Sequence, residues 1–232
     1  MTAETEIRIQ MLLLPRLTQL DLTGPYEVLA RMPGAQIALV AESLAPVASD
    51  RGLALLPTTT REQAGPADLL VVPGGPGIDQ AIGDPVWVGF VRTQALTARW
   101  IFGICTGSLL LGAAGLLRGR RATSHWLARE FLGAFGAIPA EDRMVVDANL
   151  FTSGGVTAGI DMALRVVAEL QGEETARLIQ LQIEYDPDPP FRSGSPAVAS
   201  AETVATLKAA LGPYRQTRAA AVAKAAAALE SA

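Results

Sequence analysis

Four apolar runs recur along the chain, and three of them are followed by a segment with helical spacing. "IRIQMLLLP" precedes "GPYEVLARM", and "QIALVAE" follows as a second run. "DLLVVPGGPG" precedes "DPVWVGFVRTQALTA", with Pro85 near the start of the helical stretch, and "WIFGIC" precedes "TGSLLLGAAGLL". Near-continuous apolar strands alternating with helices predict a mostly parallel sheet covered on both faces, an α/β architecture. "MVVDANLFTSGG" reads as a further strand or hairpin, and "TAGIDMALRVVAEL" and "ETARLIQLQIEY" as helices. Asp21 would lie past the first strand and before a helix whose first turn holds Pro25.

The loop "DPDPPFRSGSP" punctuates the end of this core. Beyond it, residues 200–232 form an Ala-rich helical extension with a break expected at Gly212-Pro213. The expected organisation is one α/β domain over residues 1–199, with the extension packed on that domain or on a dimer. With 50% hydrophobic residues in 232, the chain can bury a full core.

Bulk chemistry excludes several classes. A net charge of −4 argues against a nucleic-acid surface. The apolar runs are too short and broken to span a membrane, and "MTAETEIRIQ" lacks the basic-then-apolar pattern of a secretory leader. A cytoplasmic protein is expected. One cysteine precludes an intrachain disulfide, and one cysteine with one histidine leaves no zinc cluster.

That single cysteine, Cys105, falls where "WIFGIC" ends and "TGS" opens a helix. In parallel α/β sheets, ligands gather at the carboxyl ends of the strands. A helix start offers unpaired N–H groups that favour thiolate over thiol, so a lowered thiol pKa is expected. Gly103 and Gly107 permit a sharp strand-to-helix turn resembling a nucleophile elbow. The competing reading is a buried core cysteine. Asp21, in "TQLDLTGPYEVL", projects at the same sheet edge, or simply caps the following helix, with Thr23 as a rival cap. In "VVPGG", Gly74 and Gly75 either make an ordinary tight turn or aim N–H groups at a developing anion. His125 is the only imidazole and either forms a dyad with Cys105 or packs and orients its neighbours. Trp87, Trp100 and Trp126 are expected to pack in the core or an interface.

Taken together, "LTQLDLTGP", "VVPGGPG", "CTGSLLLGAAGLLRGRRATSHW", "SGGVTAGIDMAL" and "EYDPDPPFRSGSP" resemble the DJ-1/PfpI superfamily, and most closely its isocyanide hydratase branch. The resemblance spans residues 7–196. It implies a flavodoxin-like α/β sandwich, a homodimer, Cys105 as nucleophile and Asp21 as its acidic partner. It also implies that Thr106 is required, and that Gly75 supplies an oxyanion-type N–H beside that of Thr106. Gly74 and Gly155 would join Gly75 in the substrate site. The protease-like branches carry His directly after the cysteine, where this chain has Thr106.

The implied reaction converts an isocyanide to an N-formamide through a cysteine thioimidate, with no metal or organic cofactor. Sensor domains of AraC-type regulators share "CTGS" and "LDLTGP", but the Ala-rich extension is too short for paired helix-turn-helix motifs. A redox-responsive protein, in which Cys105 is oxidised, and a glyoxalase-like or amidase-like enzyme remain as alternatives.

Overall fold

A seven-stranded sheet forms the centre of the computed structural model, which describes residues 6–231. The leader-free N-terminus expected from "MTAETEIRIQ" rests in part on residues 1–5, and the last residue of the expected extension is 232; both lie outside the described residues. The sheet strands are β1 (Ile7–Leu12), β2 (Ala35–Ala41), β3 (Thr59–Thr60), β4 (Leu69–Val72), β5 (Trp100–Ile104), β6 (Met144–Asp147) and β7 (Leu150–Ser153). Their spatial order is β6-β7-β5-β4-β1-β2-β3. Every pairing is parallel except the β6–β7 hairpin at one edge, where Val146 faces Phe151. Two short ribbons, Val47–Ala48 with Ala54–Leu55 and Arg121–Ala122 with Ile138–Pro139, lie outside the sheet.

The helices are α1 (Gln19–Leu29), α2 (Ile78–Ala81), α3 (Pro85–Ala95), α4 (Gly107–Ala113), α5 (Ala158–Gln171), α6 (Glu173–Gln182), α7 (Ala201–Ala210) and α8 (Gly212–Glu230). The strands are apolar on both faces because both are covered. Ile9, Met11, Leu69, Val71, Phe102 and Ile104 point into one core, shared with α1, α5 and α6. Their neighbours Leu12, Leu70, Val72 and Ile101 point into the other, shared with α3, α4 and α8. This two-residue alternation is the strand period itself, and it locks the register, since a one-residue slip would exchange the two cores.

The start of the first helix differs from the sequence expectation, and the break in the extension matches it. Helix α1 begins at Gln19, so Asp21 sits inside its first turn and Pro25 inside the helix. The proline is tolerated there against α5: its ring lies over Gly159, where a Cβ would stand 3.0 Å from Pro25 Cγ. The Ala-rich extension is two helices, parted at Leu211 just before Gly212-Pro213. Helix α8 packs back on the domain beside α2 and α4, burying Val222 and Ala225. Of the tryptophans, Trp87 is buried in the second core. Trp100 lies at the start of β5 with the Arg99 guanidinium stacked 4.2 Å from its ring centre, and Trp126 is only half-buried. No described helix is long and apolar enough to cross a membrane.

Helix α4 can approach β4 closely because position 107 has no side chain; a Cβ there would collide with the Val72 carbonyl oxygen. Gly107→Ala is therefore expected to cost more than about 3 kcal/mol, the range of severe backbone and packing clashes. Gly89→Ala, in the interior of α3 with open space around it, is expected to stabilise by about 0.5–1 kcal/mol. Paired thermal melts of the two variants check both signs.

Candidate active site

The order of the strands reverses beside β1: the chain passes from β1 outward to β2 and β3, then returns to β4 on the other side. At such a switch point the loops after neighbouring strands splay apart and leave room for a ligand. Here the first turn of α1, which follows β1, supplies Asp21, and the turns after β4, β5 and β7 supply Gly74-Gly75, Cys105-Thr106 and Gly154-Gly155.

Cys105 has a φ of 54°, in the left-handed region that costs a non-glycine residue roughly 1–3 kcal/mol. The surrounding chain holds it there. Its N–H lies 3.1 Å from the carbonyl oxygens of both Ser153 and Gly154. Its carbonyl oxygen accepts from the Ser108 hydroxyl at 3.0 Å and the Ser124 hydroxyl at 2.7 Å. The two serines sit in the "CTGS" and "RATSHW" stretches, yet nothing in their spacing announces that both clamp one carbonyl.

Asp21 is fully buried. It is not the helix cap: that position is Thr18, and Thr23 instead bonds back to Gln19 within the helix. Its Oδ2 accepts from the Gly74 N–H at 3.0 Å, whereas Oδ1 has no hydrogen-bond partner. Burial pushes the carboxyl up to about 7, against the pull of the Cys105 thiol and the Gly74 N–H, with the Asp50 charge adding to the rise.

Burial also pushes the Cys105 thiol up, and the Asp21 charge pushes it further; the Thr106 N–H and the Arg218 cation pull it back. The lowered thiol pKa expected from the helix start is thus overridden. Helix α4 has seven residues, and its end cannot offset the loss of water around a cysteine that is 5% exposed. In the resting state the proton belongs on sulfur, beside a carboxyl able to take it.

Thr106 and Gly75 clasp one another. The Gly75 N–H donates to Thr106 Oγ1 at 2.8 Å, and the Thr106 hydroxyl donates to the Gly75 carbonyl at 3.2 Å. The Gly75 N–H is therefore already committed, and it fixes the threonine instead of facing an oxyanion. Gly75 has a φ of 129°, and a Cβ would strike the backbone of Leu17 and Thr18. Gly74 is equally confined: a Cβ would stand 2.8 Å from Asp21 Oδ2 and 2.5 Å from the Thr106 nitrogen. The two glycines thus let the β4 turn press against both site residues.

Gly155 lies against His125, where a Cβ would come within 2.9 Å of the ring. The imidazole is held well below its usual range, to about 4, by burial and by the Arg218 and Arg129 cations. Its Nδ1 accepts from the Leu127 N–H at 3.3 Å, which leaves the ring neutral with its proton on Nε2. No hydrogen bond joins it to Cys105 among the described residues.

Two hollows flank the elbow. A groove of about 920 Å³ runs past Ser124, Trp126, Gly154, Gly155 and Tyr185. A cavity of about 100 Å³ is enclosed by His125, Leu127, Leu211, Tyr214, Arg215 and Arg218. Arg218 and Tyr214 come from α8, and the Ala-rich composition of that segment gave no sign of them.

Comparison with known proteins identifies the family. Residues 7–169 match the family described as DJ-1/PfpI. An isonitrile hydratase from Pseudomonas putida is 50% identical over 91% of this chain and 93% of its own length. The HTH-type transcriptional regulator GbdR of Pseudomonas aeruginosa is 34% identical, over 60% of this chain and only 38% of the regulator. The crystal structure of a ThiJ/PfpI family protein from Pseudomonas syringae superposes with a TM-score of 0.92 at 42% identity, covering 94% of this chain and 91% of that one. The chain belongs to the DJ-1/PfpI family.

Proposed function

We propose that this protein is an isocyanide hydratase in which Cys105 is the nucleophile and Asp21 carries the proton. The observation that carries the reading is a buried carboxyl, raised to about 7, set against the only thiol in the chain. The relation to the Pseudomonas putida isonitrile hydratase across nearly the whole of both chains gives the substrate class.

In this mechanism Asp21 accepts the thiol proton as sulfur attacks the terminal carbon of R–N≡C. The carbon–sulfur bond forms, and the same proton passes from Asp21 to that carbon, leaving the thioimidate Cys105–S–CH=N–R. Asp21 Oδ1, buried and unpartnered, is the oxygen free to hold it. Water then adds across C=N, with hydroxyl to carbon and hydrogen to nitrogen. Collapse forms the formyl C=O, breaks the carbon–sulfur bond and returns the hydroxyl proton to the thiol through Asp21. The products are an N-formamide and the starting enzyme. Carrying no net charge, an isocyanide suits a site where a permanent charge would be costly. Gly74, Gly75 and Thr106 hold the pair in place, and Gly155 shapes the wall beside it.

The regulator-like reading draws on a likeness confined to 38% of GbdR. The peptidase reading wants a histidine placed beside the nucleophile, and Thr106 stands there. We also infer a homodimer, which would cover the exposed apolar side chains of α6 and the loop after it: Leu181 and Phe191 are each 78% exposed, and Leu178 is 63% exposed. A cytoplasmic location fits a chain whose chemistry depends on one free thiol.

Turnover of an alkyl or aryl isocyanide to its formamide is expected in the presence of EDTA, with oxygen-18 from labelled water entering the formyl group. Cys105→Ser and Cys105→Ala should both lose at least about a thousandfold in kcat/KM, within the span seen when a nucleophile is removed. If a ketoaldehyde or an amide is consumed by the same thiol while isocyanide is untouched, the hydratase reading fails.

Asp21→Asn separates chemistry from stability. A carboxyl raised by folding binds more protons in the native state, so its contribution to stability falls as pH rises from about 4 through about 7. Asp21→Asn should be inactive, and its Tm relative to the parent should rise between pH 5 and pH 8. A Tm difference that is flat or falls with pH contradicts the raised carboxyl.

Light scattering at micromolar concentration should give the mass of two chains; the mass of one chain overturns the dimer.

A further inference from the structure

Helix α8 is rich in alanine and packs on the domain through Val222 and Ala225, apolar contacts of the kind that could have held it alone. It nevertheless carries an arginine inward. Arg218 is 4% exposed, and its Nε donates to Asp79 Oδ1 at 2.6 Å. The guanidinium also donates to the Tyr214 hydroxyl and lies 4.6 Å from the centre of that ring. Burying an ion pair offers little net stability compared with an apolar contact of the same size. As an anchor alone it is an uneconomical choice.

Its surroundings suggest what it does. Asp79 lies in the first turn of α2, directly after the Gly74-Gly75 turn that holds Asp21 and Thr106. Arg218 and Tyr214 line the small cavity together with His125 and Leu127. The cation reaches the sulfur electrostatically from α8, while Asp21 reaches it from α1. Tyr214 in turn is pushed up to about 12, by burial first and in smaller part by Asp79 and Cys105.

We propose that Arg218, fixed by Asp79 and Tyr214, is a positioning residue for Cys105: its charge stabilises the sulfur anion formed as the proton moves to Asp21, and its tie to α2 steadies the glycine turn. This rests on Cys105 being the nucleophile. The charges acting on the thiol are Asp21 on α1 and Arg218 on α8; facing Arg218 in turn are Asp79 on α2, Tyr214 on α8 and, across the small cavity, His125 in the loop after the Arg121–Ala122 ribbon. Asp50 acts on Asp21, and Arg129 on His125.

The test is the pH dependence of iodoacetamide alkylation of the full chain, followed by intact mass; with one cysteine, every adduct reports on Cys105. Arg218→Gln should move the midpoint up by at least about half a unit, threefold in thiolate population, and lower kcat/KM for isocyanide at least tenfold. Arg218→Lys, which keeps the charge, should recover most of the midpoint. Asp79→Asn removes the opposing charge and should move the midpoint down. A purely structural anchor would shift Arg218→Gln and Asp79→Asn in the same direction, and that result overturns the proposal, as does a folded Arg218→Gln with unchanged midpoint and kcat/KM. If Arg218→Gln does not fold, the double variant Asp79→Asn/Arg218→Gln leaves no orphaned charge, and its midpoint must lie above that of Asp79→Asn; equality or a lower value overturns the proposal. Because alkylation needs no substrate, midpoints that move as expected in a protein inert to isocyanide would sink the hydratase reading and leave this one standing.

Discussion

The left-handed backbone at Cys105 is the constraint around which the site is built. A φ of 54° is unfavourable for any residue with a side chain, and it persists only because both ends of the peptide are tied down. Ser153 and Gly154 at the end of β7 hold the N–H, and Ser108 and Ser124 hold the carbonyl. The elbow lifts the sulfur out of the strand and turns the Thr106 N–H toward it. Without that turn, the alternation of β5 would send the thiol to the opposite face, with Ile101; the elbow instead sets it on the side of Ile104, among the residues packed under α1 and α5. The parallel sheet serves the elbow by bringing four strand ends to one rim, and the glycines at 74, 75 and 107 let those ends press together.

The site is electrostatically economical. It contains no strong base in water, because almost nothing there meets water. A carboxyl and a thiol are both made reluctant to ionise, so they compete for a proton that either can carry. The neutral His125 is kept out of the exchange by the Arg218 and Arg129 cations and by its own burial. The arrangement trades a resting thiolate for a thiol that ionises only as its proton is taken. That is consistent with a small electrophile entering a dry site, and it protects a lone cysteine from oxidation, which depends on exposed thiolate.

Much of this was legible in the sequence, for physical reasons. Strands buried on both faces must be apolar throughout, so β1, β4 and β5 stand out as runs. The Gly212-Pro213 break is local chemistry and was visible. Cys105, Thr106, Asp21 and the glycines were candidates because strand ends and turns concentrate them in short motifs, and the fold brings those motifs to one rim. What failed was long-range or outweighed. Pro25 suggested a helix start, but packing against Gly159 let the helix begin at Gln19. The helix start suggested a lowered thiol pKa, and burial outweighed it. The two-residue β3 has too little pattern to detect. The Ser108–Ser124 clamp joins hydroxyls from separate segments, and the Asp79–Arg218 pair joins residues 139 apart; neither leaves a trace in spacing.

The central claim is that one thiol and one carboxyl, sharing a proton, make and break a carbon–sulfur bond. Rapid acid quench of the full chain with isocyanide, followed by intact and peptide mass measurement, tests it most directly. The account predicts a transient adduct equal to the mass of the substrate, mapped to Cys105 and decaying as formamide appears. Formamide released at full rate with no adduct at Cys105 at any time, or an adduct on another residue, would contradict it.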